Sequence, residues 1–369
     1  MAVLAPFNST VNSGEDGYFG IPDPDLSPLA VLAASLVPGV PQELSTPSIN
    51  ALVNGLRPNE GSTGNVGTDW VVETGYDPIR KRMTYMGAPA GLQPDGSNSF
   101  IMQYDLPTNN FYAPFRNPVG ASFGHGYSAN AFNSKNGIAY KPLFTSGANA
   151  QRFDTWKNEI LSAVPSPSTD LGISPATAPW TNVHGLTGLP NLGVEGSLIH
   201  INSSRGRVNR FDIDTEVWSN LTFDPGTVTL SGQPVAHYHP VTDVAVVGFP
   251  ENTRQMWTVD GTTGALNQSA ETNPTNIFPS SFPGNTRQLF VADPGSNKSL
   301  AFTVDGNIHE FDTLTRTWTS VVMPTLFSDN SFENLADAVA FTVPEYNCIV
   351  IVAYGGSGTS KTFLYRHTA

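Results

Sequence analysis

The chain has 369 residues, 39% of them hydrophobic, which is enough apolar material for a core in one large domain or two modest ones. Only 13% are charged, against about 25% in an average soluble protein, and the formal net charge is −13. That balance excludes nucleic-acid binding through a basic face and implies a surface of Asn, Ser, Thr, Gly and Gln. The single cysteine, Cys348, excludes an intramolecular disulfide and a cysteine-rich zinc site. The opening MAVLAPFNST has no basic region followed by an apolar one, so export by the ordinary route is not expected. The longest apolar stretch, near Leu29 to Val37, is far short of a bilayer span. The 34 glycines and 30 prolines exceed average usage of about 7% and 5%, which points to many turns between short strands.

Residues 1–66 read as an arm with two short helices. Ser27 caps the first, Pro28 suits its first position, and Pro38-Gly39 stops it; Leu29, Leu32, Ala33 and Leu36 share one face. Thr46-Pro47 opens the second and Gly55 closes it, with Ile49, Leu52, Val53 and Leu56 on one stripe. Helices this short need something to pack on. Either they cover the chain's own β domain, or the arm docks on a neighbouring subunit.

From residue 67 to 369 the texture changes to short β runs and turns. A marker recurs: an aromatic or aliphatic residue, Asp, a short turn, then a large apolar residue. It appears as Tyr104-Asp105 with Phe111, Phe153-Asp154 with Trp156, Phe211-Asp212 with Trp218, Val259-Asp260 with Leu266, and Phe311-Asp312 with Trp318. Tyr365-Arg366 stands where a sixth would fall, without the Asp. The steps are 49, 58, 48, 52 and 54 residues, the beat of one four-stranded propeller blade. The Asp side chain can bond backbone N–H groups two residues on and so start a turn. The large residue then opens the outer strand and wedges against the next blade. The predicted fold is all-β, a six-bladed propeller preceded by the arm.

Runs such as DVAVVGF and CIVIVAY are apolar on both faces, as expected where neither face of a blade meets water. The last blade shows only AVAFTVP, CIVIVAYG and KTFLYRH. An open ring would expose strand edges, so a segment before or near Trp70-Val71-Val72 is expected to supply its fourth strand.

The segments FDIDTEVW, FDTLTRTW and YDLPTNNF resemble the last hairpin of a Kelch repeat. The Gly-Gly pair of Kelch blades has a counterpart only in Gly355-Gly356, with single glycines at Gly87 and Gly248. The resemblance implies a Kelch-like propeller over residues 67–369. One Kelch-like enzyme group, resembling galactose oxidase, holds copper beside a cross-linked Cys–Tyr pair. Here the only thiol lies in an apolar strand, where Cys behaves as a small hydrophobe, so no such cofactor is expected.

Other candidate sites are few. His237 and His239 share one strand face and could ligate a metal with Asp243, but structural use is the expected reading, and no metal is predicted. GGSGTSKT lacks the Gly before Lys that a phosphate loop needs and reads as a hairpin loop. No nucleophile elbow or sialidase-type Asp box occurs, so the chain is expected not to be an enzyme. Binding is expected on the loops between second and third strands, through Asn252, Arg254, Asp305 and Asn307. The opening MAVLAPFNSTV is similar in style to bacteriophage structural proteins. That resemblance implies a place in the virion, as a tail component or capsid-surface projection. Residues 1–66 would then contact other virion proteins, and the propeller would meet a host-surface glycan or protein, with no cofactor. A carbohydrate-binding or carbohydrate-active propeller is the alternative.

Overall fold

The computed structural model describes residues 27–44, 75–87, 100–116, 130–142, 149–165, 184–202, 208–221, 235–249, 255–268, 289–302, 306–325, 339–355 and 359–368. Helix α1 (Pro28–Ala34) and strand β1 (Gln42–Leu44) come first. Four strands then form each of five antiparallel sheets in chain order. Blade one holds β2 (Gly75–Asp77), β3 (Arg82–Gly87), β4 (Phe100–Asp105) and β5 (Asn110–Arg116). Blade two holds β6 (Ala131–Asn133), β7 (Ile138–Pro142), β8 (Asn149–Asp154) and β9 (Glu159–Pro165). Blade three holds β10 (His184–Leu189), β11 (Ser197–Asn202), β12 (Val208–Asp212) and β13 (Val217–Asn220). Blade four holds β14 (Val235–His239), β15 (Val244–Phe249), β16 (Gln255–Asp260) and β17 (Leu266–Gln268). Blade five holds β18 (Leu289–Ala292), β19 (Lys298–Phe302), β20 (Asn307–Asp312) and β21 (Trp318–Val322). The sixth sheet runs β1, β24 (Thr359–Tyr365), β23 (Cys348–Gly355), β22 (Val339–Val343). The first strands of neighbouring blades contact one another all the way round, from β2 through β22 and back to β2. The protein is a six-bladed β-propeller.

The repeated Asp does what its chemistry dictates. Asp260 Oδ1 accepts from the N–H groups of Thr262 (3.0 Å) and Thr263 (2.7 Å), and Asp312 Oδ1 from those of Leu314 and Thr315 (both 2.9 Å). Asp154 binds the N–H groups of Trp156 and Lys157 in the same way. Four residues after the Asp the backbone turns left-handed: Asn109 (φ 53), Asn158 (φ 55), Glu216 (φ 56), Gly264 (φ 72) and Arg316 (φ 59). That conformation reverses the chain into the fourth strand.

The core lies between the blades. Six buried clusters, one per seam, account for it among the described residues. On β23, Ile349 and Ile351 face blade five, while Cys348, Val350 and Val352 face blade one. On β15, Ala245 and Val247 face blade three, while Val244 and Val246 face blade five. Strand period two sends alternate side chains to opposite seams, which explains the continuous apolar runs. Trp218 and Trp318, 5% and 7% exposed, fill the outer parts of two seams as wedges. Trp156 departs from the expected pattern. It lies within the turn before β9, and its Nε1 donates to Asp77 Oδ2 of blade one at 2.8 Å.

Ring closure follows the expectation that a segment ahead of Trp70 supplies the missing strand. The fourth strand of the last blade is β1, paired antiparallel with β24 in the register Gln42–Leu364, Glu43–Phe363, Leu44–Thr362. Trp70-Val71-Val72 lies outside the described residues, as does the second expected helix. Helix α1 starts as read, with Ser27 Oγ accepting from Ala30 N at 3.3 Å, but its cap falls at Ser35 rather than at Pro38-Gly39. Leu29, Ala33 and Leu36 pack on Met83, Tyr104 and Leu106 of blade one and on Phe341, Val343 and Cys348 of blade six. The stripe of α1 is therefore used on the chain's own ring.

Arg366 occupies the sixth marker position, where no further hairpin needs a turn. Its guanidinium donates to the carbonyls of Ala33 (2.9 Å), Leu36 (3.2 Å), Tyr346 (3.2 Å) and Asn347 (3.1 Å), and its own carbonyl accepts from Gly39 N (2.8 Å). A cation at the carbonyl end of a helix is favourable. The departure from Asp to Arg thus latches α1 onto the seam.

Candidate functional site at the channel mouth

Each first strand ends at a tight turn into the second. In four blades the residue after the first strand is proline, Pro78, Pro190, Pro240 and Pro344; in blade five Asp293 comes first and Pro294 second, and blade two has Ser134. Proline presets the turn dihedral and cannot continue a strand. These turns surround the axis at one end of the ring, and a cavity of about 340 Å³ opens there. Blade one contributes Gly75, Tyr76 and Pro78, and blade two Asn130, Phe132, Ser134 and Lys135. Blade three contributes Thr187, Pro190 and Asn191, blade four Tyr238 and Pro240, and blade six Thr342 and Pro344.

The carboxylates near this mouth are already engaged. Asp77 Oδ1 accepts from Ile79 N (2.9 Å) and Arg80 N (3.1 Å), while its other oxygen holds Trp156. Asp243 Oδ1 accepts from Tyr238 Oη and Asn191 Nδ2, both at 3.0 Å. Glu345 Oε1 accepts from the Tyr76 hydroxyl. Burial, reinforced by these carboxylates, pushes the phenols of Tyr76 and Tyr238 well above their ordinary value. Both rings are thereby fixed as neutral walls. Asn130 accepts from Met86 N at 2.9 Å through Oδ1, whereas its Nδ2 is buried without a hydrogen-bond partner.

Of the residues expected to bind, Asn252, Arg254 and Asp305 lie outside the described residues. Asn307 opens β20, at the end of the ring opposite this cavity, paired with Val322. His237 and His239 serve as ties between blades. His237 Nε2 is 2.7 Å from Ser299 Oγ, and His239 Nε2 donates to the Lys298 carbonyl at 2.9 Å. Asp243 points with Tyr238 to Asn191 of blade three, not towards these histidines. Among the described residues, no three His, Cys, Asp or Glu side chains are grouped to hold a metal. Cys348 is fully buried, and burial raises its thiol to about 12. The GGSGTSKT segment joins β23 to β24, as a hairpin loop does. No helix among the described residues is long and apolar enough to cross a membrane.

Two buried polar groups gave no signal in the sequence. Lys141 on β7 is 1% exposed, and burial lowers its ammonium to about 7. Glu310 on β20 accepts from Lys298 Nζ, from Thr319 Oγ1 (2.7 Å) and from His367 Nε2 (2.7 Å). Burial pushes its carboxyl up, but these hydrogen bonds outweigh that and hold it at about 2.

The histidines make the ring acid-sensitive. Burial lowers the imidazole of His200 to about 3, that of His237 well below its usual 6.5, and that of His239 below it as well. In the unfolded chain all three take up protons near pH 6.5, so the unfolded state binds more protons below that value. Stability is therefore expected to fall as pH drops from about 7 towards 4, by up to about 1.4 kcal/mol per pH unit for each histidine. Urea midpoints at pH 7.5, 6 and 5 test this, and His200→Phe should flatten the slope. A midpoint constant across that range would refute it.

A scan against protein-family models finds no match, and a search of curated proteins finds none. Solved structures share the architecture. Virginiamycin B lyase from Staphylococcus aureus is 10% identical, with 88% of this chain and 99% of that one covered and a TM-score of 0.46. An auxiliary nutrient binding protein from Bacteroides thetaiotaomicron is 10% identical over 81% of this chain and 69% of that one, with a TM-score of 0.48. The WD40 repeats of RRP9 are 10% identical over 80% of each chain, with a TM-score of 0.44. None of the three is described as a Kelch or phage protein. Likeness at this identity bears on the fold alone. It does correct one expectation: the lyase shows an enzyme on such a ring, so the lack of a legible motif does not make this chain a non-enzyme. Propeller sites are assembled from several blades, and fold does not dictate function.

Proposed function

We propose that this propeller is an assembly and attachment module of a virus particle, a tail component or surface projection of the phage type. Residues 1–66 act as its anchoring arm and 67–369 as its rigid Kelch-like body. The observation that carries the reading is the way the arm is rooted. Helix α1 and β1 are built into the seam that closes the ring and are held by Arg366, so pull on the arm is transmitted to the whole ring. The sparse charge and the Asn-, Ser- and Thr-rich surface suit life outside a cell. Exposed aliphatic side chains at turn tips, Ile79, Val194, Val241 and Leu314, offer contact points on one face. In this reading Asn252, Arg254, Asp305 and Asn307 meet the host surface from the other face.

The test is purification of intact particles followed by quantitative mass spectrometry. The chain is expected at a fixed copy number, and removal of residues 1–26 should abolish incorporation while leaving the melting temperature of the ring unchanged. Absence from every particle fraction defeats the proposal.

A further inference from the structure

We propose that the channel mouth binds a neutral saccharide. The cavity, about 340 Å³, is within the range of about 300–1,000 Å³ typical of small-ligand sites, and five of the six blades encircle it. Its walls combine rings and neutral polar groups, with Lys135 as the one cation among the described lining residues. Tyr76, Phe132 and Tyr238 supply aromatic surface, and the turn prolines add further apolar faces. Asn191, Thr187 and Thr342 stand between them. A sugar ring presents the complementary chemistry, an apolar C–H face edged with hydroxyls that both donate and accept.

Two observations narrow the ligand. Asn130 Nδ2 is a buried donor without a partner, and leaving such a donor unmatched is costly unless an acceptor arrives. A sugar hydroxyl is such an acceptor. The carboxylates of Asp77, Asp243 and Glu345 stand behind the wall, already bonded to Trp156, Tyr238 and Tyr76. These three carboxylates carry more charge than the single Lys135 at the mouth offsets, which disfavours an anion, and the oxygens so bonded are not open to a cation. An extended peptide needs a groove open at both ends, which a mouth enclosed by five blades does not offer. The assignment stands whether or not the chain belongs to a virus particle.

The experiment is isothermal titration of the full chain with the methyl glycosides of glucose, galactose and N-acetylglucosamine. Glucuronate and a proline-rich peptide are run in parallel. At least one neutral glycoside is expected to bind at millimolar concentration or tighter, and glucuronate more weakly. Asn130→Asp keeps the acceptor used by Met86 N and removes the orphan donor; it should weaken binding about tenfold, the worth of one good hydrogen bond. Thr187→Val, nearly isosteric, should weaken it as well and serves if Asn130→Asp does not fold. Lys157→Ala, on an exposed turn, should change nothing. The proposal is overturned if no neutral glycoside binds at about 50 mM. Unchanged affinity in folded variants, or binding of the peptide in place of the glycosides, overturns it too.

Discussion

Gly188→Ala is expected to prevent folding, or to lower the melting temperature by about 4 °C or more, through the addition of one methyl group. Blades converge towards the axis, so first strands lie closer together than fourth strands. A Cβ at Gly188 would sit 2.1 Å from the Phe132 carbonyl oxygen of blade two. That atom is backbone and cannot rotate away, so the whole first strand of one blade must shift. Gly75 shows the same crowding from the other side, with Phe132 Cβ at 2.0 Å. Overpacking of this kind costs about 3 kcal/mol or more. Gly264 is the internal comparison: its φ of +72 disfavours alanine, but its nearest neighbours are Leu192 methyls at 3.4 Å. Gly264→Ala should cost about 1 kcal/mol, the strain of a left-handed residue alone. Thermal and urea unfolding of the two variants measure the difference. Equal, small losses would mean that the innermost strands are not packed as described.

The same taper explains what was legible in the sequence. Near the axis the ring demands glycine, and at the rim it demands tryptophan, so Trp218 and Trp318 could be read as wedges from their place after the Asp turn. The turns were legible because their physics is local: an Asp oxygen reaches N–H groups two and three residues on. Trp156 shares that spacing only loosely. It stands two residues after Asp154, inside the turn, and its reach to Asp77 spans 79 residues of sequence. No local pattern encodes such a contact. The closing strand was expected from the segment ahead of or near Trp70, but its exact place was not legible, for a similar reason. Gln42–Leu44 has three residues and no apolar alternation, and it becomes a strand only because β24 offers an edge. Trp70-Val71-Val72 looked more like a strand because its residues have the higher β-propensity.

The channel mouth was harder to see. Its lining comes in twos, threes and fours from five blades set about fifty residues apart. One signal was present: proline follows the first strand directly in four blades, and one residue later, after Asp293, in a fifth. The expected binding residues instead followed the usual habit of propellers, and three of the four fall outside the described residues. The histidine pair illustrates a different point. Strand period correctly placed both imidazoles on one face, but what lies opposite that face is β19, with Ser299 and the Lys298 carbonyl in place of a third ligand.

Arg366→Met should open the ring at its seam. The guanidinium donates to four carbonyls on two segments: Ala33 and Leu36 at the end of α1, Tyr346 and Asn347 before β23. Methionine keeps the apolar stem and removes every donor, which leaves the last carbonyls of α1 without these partners. Hydrogen bonds to a charged group contribute about 1.5–3 kcal/mol each, and the side chain is part-exposed, so a net loss of about 3 kcal/mol is expected rather than the sum. The loss should be local before it is global. Hydrogen exchange of residues 27–44 should accelerate at least tenfold, while strands of blades three and four keep their protection. Arg366→Lys separates charge from geometry. It keeps a cation near the helix end but cannot span four carbonyls, so its exchange should fall between wild type and Arg366→Met. If all three proteins protect residues 27–44 equally, the latch is not what holds α1 and β1, and the burial of Leu29, Ala33 and Leu36 alone must suffice to close the ring.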